Sequence, residues 1–160
     1  MLNRVTRVHP ARNAPTAVVG TVPSDSHTWN LVFLQLLLEE HGYHVHNLGP
    51  CTPHEELAAA CADLAPDLLV LSSVNGHGVI EGPRSIQAVR ARSGQAGPSS
   101  VIGGMLTTNG QLTEGQTTAL LEAGFDAVFT TDQSVHAFSE YLRRQALEAT
   151  REPVVSGAVR

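Results

Sequence analysis

Apolar and polar positions alternate along the chain in blocks that predict five strands, each followed by a helix. The third strand candidate is a nearly continuous apolar run, which is typical of a central parallel strand that is buried on both faces. The strands are predicted at residues 17–22, 43–48, 67–73, 99–103 and 126–130, and the helices at 29–41, 53–64, 82–93, 113–123 and 133–148.

Residues that favour helix ends separate these segments. Thr52-Pro53 opens the second helix, Thr113 with Gln116 has the spacing of a capping box, and Gly124 ends the fourth helix. Strands that alternate with helices form β-α-β units, so the pattern predicts an α/β fold. We expect a flavodoxin-like (Rossmann-like) five-stranded parallel sheet of order 2-1-3-4-5, with helices on both faces. A ligand is then expected at the carboxyl edge of the sheet, at the switch point between strands 1 and 3.

Composition narrows the class of protein. The 160 residues suffice for one core, which we expect to be aliphatic because 42% of the residues are hydrophobic and only 4% aromatic. The formal net charge of −5 argues against nucleic acid as a partner, and no apolar run has the length of a membrane span. Cys51 and Cys61 lack a C-x-x-C spacing, so we expect reduced thiols and a cytoplasmic location. One domain is predicted over 16–148, with flexible termini at 1–15 and 149–160.

Three loops at the predicted carboxyl edge carry unusual chemistry. The first contains Asp25-Ser26-His27, in which the carboxylate can accept a hydrogen bond from one imidazole nitrogen and leave the other as a metal ligand. Alternatively, Asp25 could cap the helix that begins near Thr28. The third loop begins with Ser72-Ser73, and the fourth contains Gly103-Gly104, where a ligand can approach the backbone without meeting side chains.

These three motifs resemble those of the cobalamin (B12)-binding domain family, whose pattern is D-x-H-x-x-G, then S-x-L, then G-G. The chain reads Asp25-Ser26-His27-Thr28-Trp29-Asn30, then Ser72-Ser73-Val74, then Gly103-Gly104. The resemblance extends over residues 16–146. Within the family it is closest to the small subunits of glutamate mutase (methylaspartate mutase).

The chain departs from the family pattern at two positions. Val74 stands in place of leucine, a loss that a pocket can absorb. Asn30 stands in place of glycine, which has two readings. If the backbone there needs a positive φ, asparagine is the best substitute. If glycine is needed for close approach, the Asn30 side chain would collide with the ligand, and a domain that has lost its cofactor is then an open alternative.

The resemblance implies a role for each matching residue. His27 would be the lower axial ligand of cobalt, in place of the nucleotide base of the cofactor, and Asp25 would hold its other nitrogen. The displaced nucleotide tail would enter a pocket between strands 1 and 3, contact Ser72, and pass the two glycines. The residues expected at the cofactor are Ser24, Asp25, Ser26, His27, Thr28, Ser72, Ser73, Val74, Gly103, Gly104, Met105, Leu106 and Thr107.

The resemblance also implies a function. The cofactor would be adenosylcobalamin, and the chain would be the cofactor-binding subunit of an isomerase that converts L-glutamate to 3-methylaspartate. A chain of this length has no room for a substrate barrel, so we expect a separate, larger barrel-type subunit that carries the substrate site. The alternatives are a corrinoid carrier for methyl transfer or a cobalamin sensor. A phospho-receiver domain is disfavoured because strand 3 ends in Ser72-Ser73 rather than in aspartate.

The remaining histidines show no metal-binding spacing. His77 lies in the third loop, where it could reach the corrin rim or a partner subunit. The others are predicted to be surface residues: His9, His41, His44, His46, His54 and His136.

Overall fold

The computed structural model describes residues 14–130 and 134–151, and within them the chain forms one five-stranded parallel sheet. The strand order is β2-β1-β3-β4-β5, as predicted. The strands are β1 (Thr16–Thr21), β2 (His44–Asn47), β3 (Leu68–Ser73), β4 (Ser99–Gly104) and β5 (Ala127–Thr130). The helices are α1 (Trp29–Glu40), α2 (His54–Leu64), α3 (Gly78–Ser93), α4 (Glu114–Ala123) and α5 (Ser134–Arg151). The predicted flexible termini lie mostly outside the described residues.

The central strand is β3, which pairs with β1 on one side and β4 on the other. All six of its residues are buried, as the continuous apolar run predicts. Because successive side chains point to opposite faces, Leu69 and Leu71 enter one half of the core while Leu68 and Val70 enter the other.

The sheet therefore separates two cores. One lies under α2, α3 and α4, where Leu57, Ile86 and Leu120 pack on the sheet. The other lies under α1 and α5 and contains Leu31 and Phe138. Both cores are mainly aliphatic, as the composition predicts, with a few aromatic side chains from Phe125, Phe138 and Tyr141.

Local signals place most helix ends correctly. Thr113 and Gln116 form the predicted capping box: the Thr113 hydroxyl accepts from the Gln116 N–H, and the Thr113 N–H donates to Gln116 Oε1. The prediction for the third helix is wrong by one turn. It begins at Gly78 rather than 82, so Pro83 lies inside it instead of in its first turn.

Both cysteines lie in the described ranges and are free thiols. Cys61 is buried in the core, and burial raises the pKa of its thiol to about 11. None of the described helices is both long enough and apolar enough to span a membrane.

Candidate functional site

The loops after β1, β3 and β4 leave the sheet side by side. The strand register pairs Thr21 with Ser72, and Ser72 with Gly103. The predicted convergence of the three motifs at the carboxyl edge is therefore confirmed. Hydrogen bonds between these loops, rather than strand order alone, determine how their side chains are arranged.

The carboxylate of Asp25 joins the first loop to the third. Its Oδ1 accepts hydrogen bonds from the His27 ring Nδ1 at 2.7 Å and from the His27 backbone N–H at 3.0 Å. Its Oδ2 accepts from the Val74 N–H at 2.6 Å and from the Asn75 N–H at 3.3 Å. Asp25 is fully buried. The alternative in which Asp25 caps α1 is wrong, because its carboxylate is occupied by the partners named above.

Electrostatics keep this buried carboxylate ionised. Burial by itself raises the pKa of Asp25, but the hydrogen bonds from Val74 and His27 outweigh it, so the net pKa lies below the ordinary value of 3.8. At neutral pH the group is therefore a carboxylate that can only accept hydrogen bonds.

The ring of His27 is oriented by that carboxylate. Since a carboxylate only accepts, Nδ1 carries a proton, and in the neutral ring Nε2 then carries the lone pair. The His27 side chain is 60% exposed, so Nε2 is accessible from outside. Among the described residues, no group of three or more His, Cys, Asp or Glu side chains could hold a metal ion.

A cavity of about 230 Å³ lies beside this loop, between α1, α5 and the sheet. Its floor comes from β3 and β4, and most of its lining is apolar. The predicted pocket lies between strands 1 and 3, whereas the described residues that line this cavity include none from β1. On this face β1 contributes Val19, which is buried in the core with Leu31, whereas β3 and β4 end in the small residues Ser72 and Gly103. The space therefore opens over β3 and β4.

One polar pair faces this cavity. Asn30 Nδ2 donates a hydrogen bond to Ser72 Oγ at 2.6 Å, and both residues line the cavity. Asn30 lies in α1 and is not among the non-glycine residues with positive φ. The interpretation that asparagine replaces glycine because the backbone needs a positive φ is therefore wrong. Its Oδ1 is buried and has no hydrogen-bond partner among the described residues.

Neighbouring strands lie close to both glycines at the end of β4. Gly104 has φ +108°, and a Cβ there would collide with the Ser73 carbonyl oxygen. A Cβ on Gly103 would lie 3.2 Å from Phe129 Cβ. Both glycines also line the cavity, as the resemblance implies.

Beyond Gly104 the chain leaves this cavity, which corrects the expected path along Met105, Leu106 and Thr107. Leu106 is only 2% exposed and packs in the core under α2, α3 and α4. The Thr107 hydroxyl lies 2.7 Å from the Gln111 carbonyl oxygen. The positive φ of Gly104 permits a change of direction that strand alternation does not predict.

A hydrogen-bonded cluster that the sequence did not reveal joins the first loop to α3. Ser24 Oγ lies 2.5 Å from Glu81 Oε2 and 3.1 Å from His77 Nδ1, and Asn75 Nδ2 donates to Ser24 Oγ at 2.9 Å. The predicted start of this helix at 82 left Glu81 outside it. An acidic residue in the true first turn was the missed signal.

The other expected site residues have various environments. Ser26 and Thr28 are exposed, and Ser73 is fully buried with its hydroxyl 3.3 Å from Asn75 Oδ1. Among the histidines predicted at the surface, His54 is half-buried, with Nδ1 2.7 Å from Ser85 Oγ. His44 and His136 are exposed as expected.

The outer face of α1 carries a stripe of exposed apolar side chains. They recur at the i, i+3, i+4 and i+7 spacing of one helix face: Trp29, Val32, Phe33 and Leu36. Trp29 is 85% exposed and follows His27 by two residues, while Phe33 also lines the cavity. We call these four residues the α1 apolar face.

Comparisons with known proteins agree with this geometry. A family model described as the B12 binding domain matches residues 15–133. The glutamate mutase sigma subunit of Halobacterium salinarum is 31% identical over 142 residues, which cover 89% of this chain and 94% of that protein. The glutamate mutase sigma subunit of Fusobacterium nucleatum is 27% identical over 115 residues, covering 70% of this chain and 82% of that protein.

Solved structures with low sequence identity share the fold. A cobalamin-binding protein from Desulfitobacterium hafniense has a TM-score of 0.64 at 20% identity, covering 81% of this chain. The monomethylamine corrinoid protein of Methanosarcina barkeri has a TM-score of 0.62 at 18% identity, covering 86% of this chain. This chain spans 58% of the length of each of those two structures. The DrrB receiver domain has a TM-score of 0.61 at 12% identity, covering 84% of this chain and 99% of that domain.

Proposed function

Because the chain belongs to the B12-binding domain family, we propose that it binds cobalamin as the small subunit of a carbon-skeleton mutase similar to glutamate mutase. The proposed reaction is the isomerisation of L-glutamate to 3-methylaspartate, with the substrate site on a larger, barrel-type subunit. The relatives named glutamate mutase sigma subunits support this role, since the matches cover 94% and 82% of their lengths. One observation carries the proposal: His27 presents Nε2 outward while a buried carboxylate holds Nδ1.

His27 is the proposed axial ligand of the cobalt. A single imidazole suits a metal whose other ligands belong to a macrocycle. The hydrogen bond to Asp25 favours the tautomer whose Nε2 can coordinate a metal and orients the ring. Because the same carboxylate binds the Val74 N–H, the ligand loop is connected to the end of β3, which lines the cavity.

The cavity is the proposed site of the displaced nucleotide tail. Its lining would bury apolar surface, which stabilises a complex by about 25 cal/mol per Å². Ser72, Val74 and Gly103 are the residues that we assign to the tail, at the end of β3 and β4. The cavity is present with the Asn30 side chain in place, so this departure from the family pattern is compatible with a bound tail.

The cofactor form that we propose is adenosylcobalamin, which supplies a cobalt–carbon bond whose homolytic cleavage starts a radical rearrangement. The described residues bind and orient the cofactor. We therefore expect no turnover of L-glutamate by this chain alone, and turnover once a larger mutase subunit is added. Turnover by the isolated chain would overturn this division of roles.

The α1 apolar face is the surface that we assign to the larger subunit. Exposed apolar patches of this kind mark interaction sites on soluble domains. The patch is continuous with the proposed cofactor site, since Trp29 lies two residues beyond His27 and Phe33 lines the cavity.

Electron paramagnetic resonance of the reduced cobalt(II) complex tests the axial ligand directly. One axial ¹⁴N splits the cobalt lines into triplets, whereas one axial ¹⁵N splits them into doublets. Protein labelled with ¹⁵N-histidine and given unlabelled cobalamin should show doublets. The His27→Ala variant should lose them, and the His136→Ala variant, at an exposed position on α5, should retain them. Triplets in the labelled wild type would mean that the cofactor's own base still binds the metal, and would refute the proposal.

A further inference from the structure

The edge strand β2 carries two histidines at alternate positions. Because side chains of a strand alternate between its two faces, His44 and His46 point to the same side. Val45, between them, packs against the core under α1 and α5, so the two histidines lie on the opposite face of the sheet from the cavity. His44 is exposed and His46 is half-buried. The prediction that these histidines lack a metal-binding spacing does not account for strand geometry, which brings positions i and i+2 together.

The two imidazole rings lie next to each other. Their centroids are 4.9 Å apart, and the ring planes meet at 85°. A metal–nitrogen bond of about 2.1 Å places the metal about 3.2 Å from the centroid of an imidazole ring. At bond angles of about 90–110°, which octahedral and tetrahedral ions require, the centroids of two such rings are about 4.5–5.2 Å apart. The observed separation lies in this range, so one ion can bind both rings with little change in their spacing.

The backbone of β2 holds the pair in place. The parallel register pairs His44 with Thr16 and His46 with Val18 of β1. Ligands that are fixed by a sheet lose little conformational freedom when they bind an ion, which favours binding. The strand is also the edge of the described sheet, so its outer side is not covered by another strand.

We propose that His44 and His46 form a two-ligand site for a divalent transition metal ion. Imidazole is a good ligand for Ni²⁺, Cu²⁺ and Zn²⁺, whereas Mg²⁺ and Ca²⁺ prefer oxygen ligands. Since the described residues contain no group of three or more metal-binding side chains, water fills the remaining coordination positions. The ion is therefore exchangeable, unlike an ion in a structural site with four protein ligands. This site is separate from His27 and does not depend on the proposed function.

Calorimetric titration of the whole chain with Ni²⁺, without corrinoid, measures the affinity. Nickel is the probe because it does not oxidise thiols, and Cys51 is an exposed free thiol. Loss of a residue that only orients a ligand costs about 10–100-fold in metal affinity, so loss of one of the two ligands should cost at least about tenfold. We expect this loss in His44→Ala, and also in His46→Gln, which keeps a polar side chain at the half-buried position.

Two controls separate the pair from the other histidines. His136→Ala removes an exposed imidazole on α5, and His27→Ala removes the exposed imidazole of the first loop. Both variants should bind Ni²⁺ with the affinity of the wild type. Paramagnetic Ni²⁺ also broadens the amide signals nearest to it, so the broadening in a spectrum of the wild type should be centred on residues 44–46.

The two substitutions on β2 give results that can contradict the inference. If neither changes the affinity, the rings only pack edge to face, as aromatic pairs do at this distance, and the inference is overturned. If only one of them lowers the affinity, a single imidazole binds the ion and the two-ligand site is wrong. Broadening centred on His27 would also overturn the inference, and none of these results would bear on cobalamin binding.

Discussion

Replacing Asp25 by asparagine tests whether this side chain sets the tautomer of His27. Asparagine has one acceptor oxygen and one amino donor where the wild type has two acceptor oxygens. The Val74 N–H donates to Oδ2 at 2.6 Å and still needs an acceptor in the variant. The side-chain oxygen of asparagine therefore faces Val74, and its amino group faces the His27 ring. Nδ1 then has to accept, the ring proton moves to Nε2, and Nε2 loses the lone pair that a metal needs.

The expected losses follow from the two shortest hydrogen bonds of the carboxylate. They join it to the His27 ring at 2.7 Å and to the Val74 N–H at 2.6 Å. Hydrogen bonds to charged groups contribute about 1.5–3 kcal/mol each. The variant keeps the Val74 bond in neutral form, and the exposed ring can bond to water instead, so we expect the free energy of unfolding to fall by about 1–2 kcal/mol. Loss of the oriented ligand should reduce corrinoid affinity by about 10–100-fold.

Long-range ¹H–¹⁵N correlation spectra of the histidine rings measure the tautomer, and urea unfolding measures stability. Asp63→Asn is the matched control, because it makes the same substitution at an exposed position of α2. The control should leave the His27 ring signals, the unfolding midpoint and the affinity unchanged. If Nε2 of His27 stays unprotonated in the Asp25 variant and corrinoid affinity is retained, the carboxylate does not set the tautomer.

Three further predictions follow from the same structure. Because the pKa of Asp25 is lowered on folding, its contribution to stability is complete above the ordinary value near 3.8 and is lost as pH falls through the lower folded value. The difference in urea midpoint between wild type and the asparagine variant should therefore shrink below about pH 4, and a growing difference would contradict this sign. Gly104→Ala should lower the free energy of unfolding by about 2 kcal/mol, because Gly104 has a positive φ and contacts β3. Gly115→Ala inside α4 should instead raise it by about 0.5–1 kcal/mol. Equal effects of the two substitutions in chemical denaturation would show that Gly104 is not restricted by its backbone conformation. Leu36→Asp should lower the affinity for the larger subunit, measured by calorimetry, about tenfold. Leu147→Asp, at a similarly exposed position near the far end of α5, should leave the affinity unchanged. An equal loss of affinity in both variants would place the interface elsewhere.

The strand order was predictable because five successive β-α-β units fit it. The central position of β3 was predictable because an unbroken apolar run is typical of a parallel strand that is buried on both faces, as Leu68–Ser73 is. The Asp25–His27 contact was also predictable, since a separation of two residues leaves little conformational freedom between the two side chains.

The face of the cavity was not predictable from the same reasoning. Its position depends on which strand ends in small residues and on where Val19 fills the core. Both depend on tertiary packing, which local sequence patterns do not show. Leu106 was misplaced because the direction of the chain beyond Gly104 depends on one backbone torsion. Glu81 was missed because the helix was predicted to begin at 82, whereas the helix begins one turn earlier and Pro83 lies inside it.

The position of α1 has a consequence for local stability. Its outer side meets solvent through large apolar side chains, and part of its inner side lies over space instead of packed atoms. Segments with few buried apolar neighbours open at lower free energy than the rest of a domain. Amide protons of α1 should therefore exchange with deuterated solvent sooner than those of the densely packed α3, and a molecule that fills the space beneath α1 should slow them. The order of the helix that begins just beyond His27 should therefore depend on what is bound beneath it.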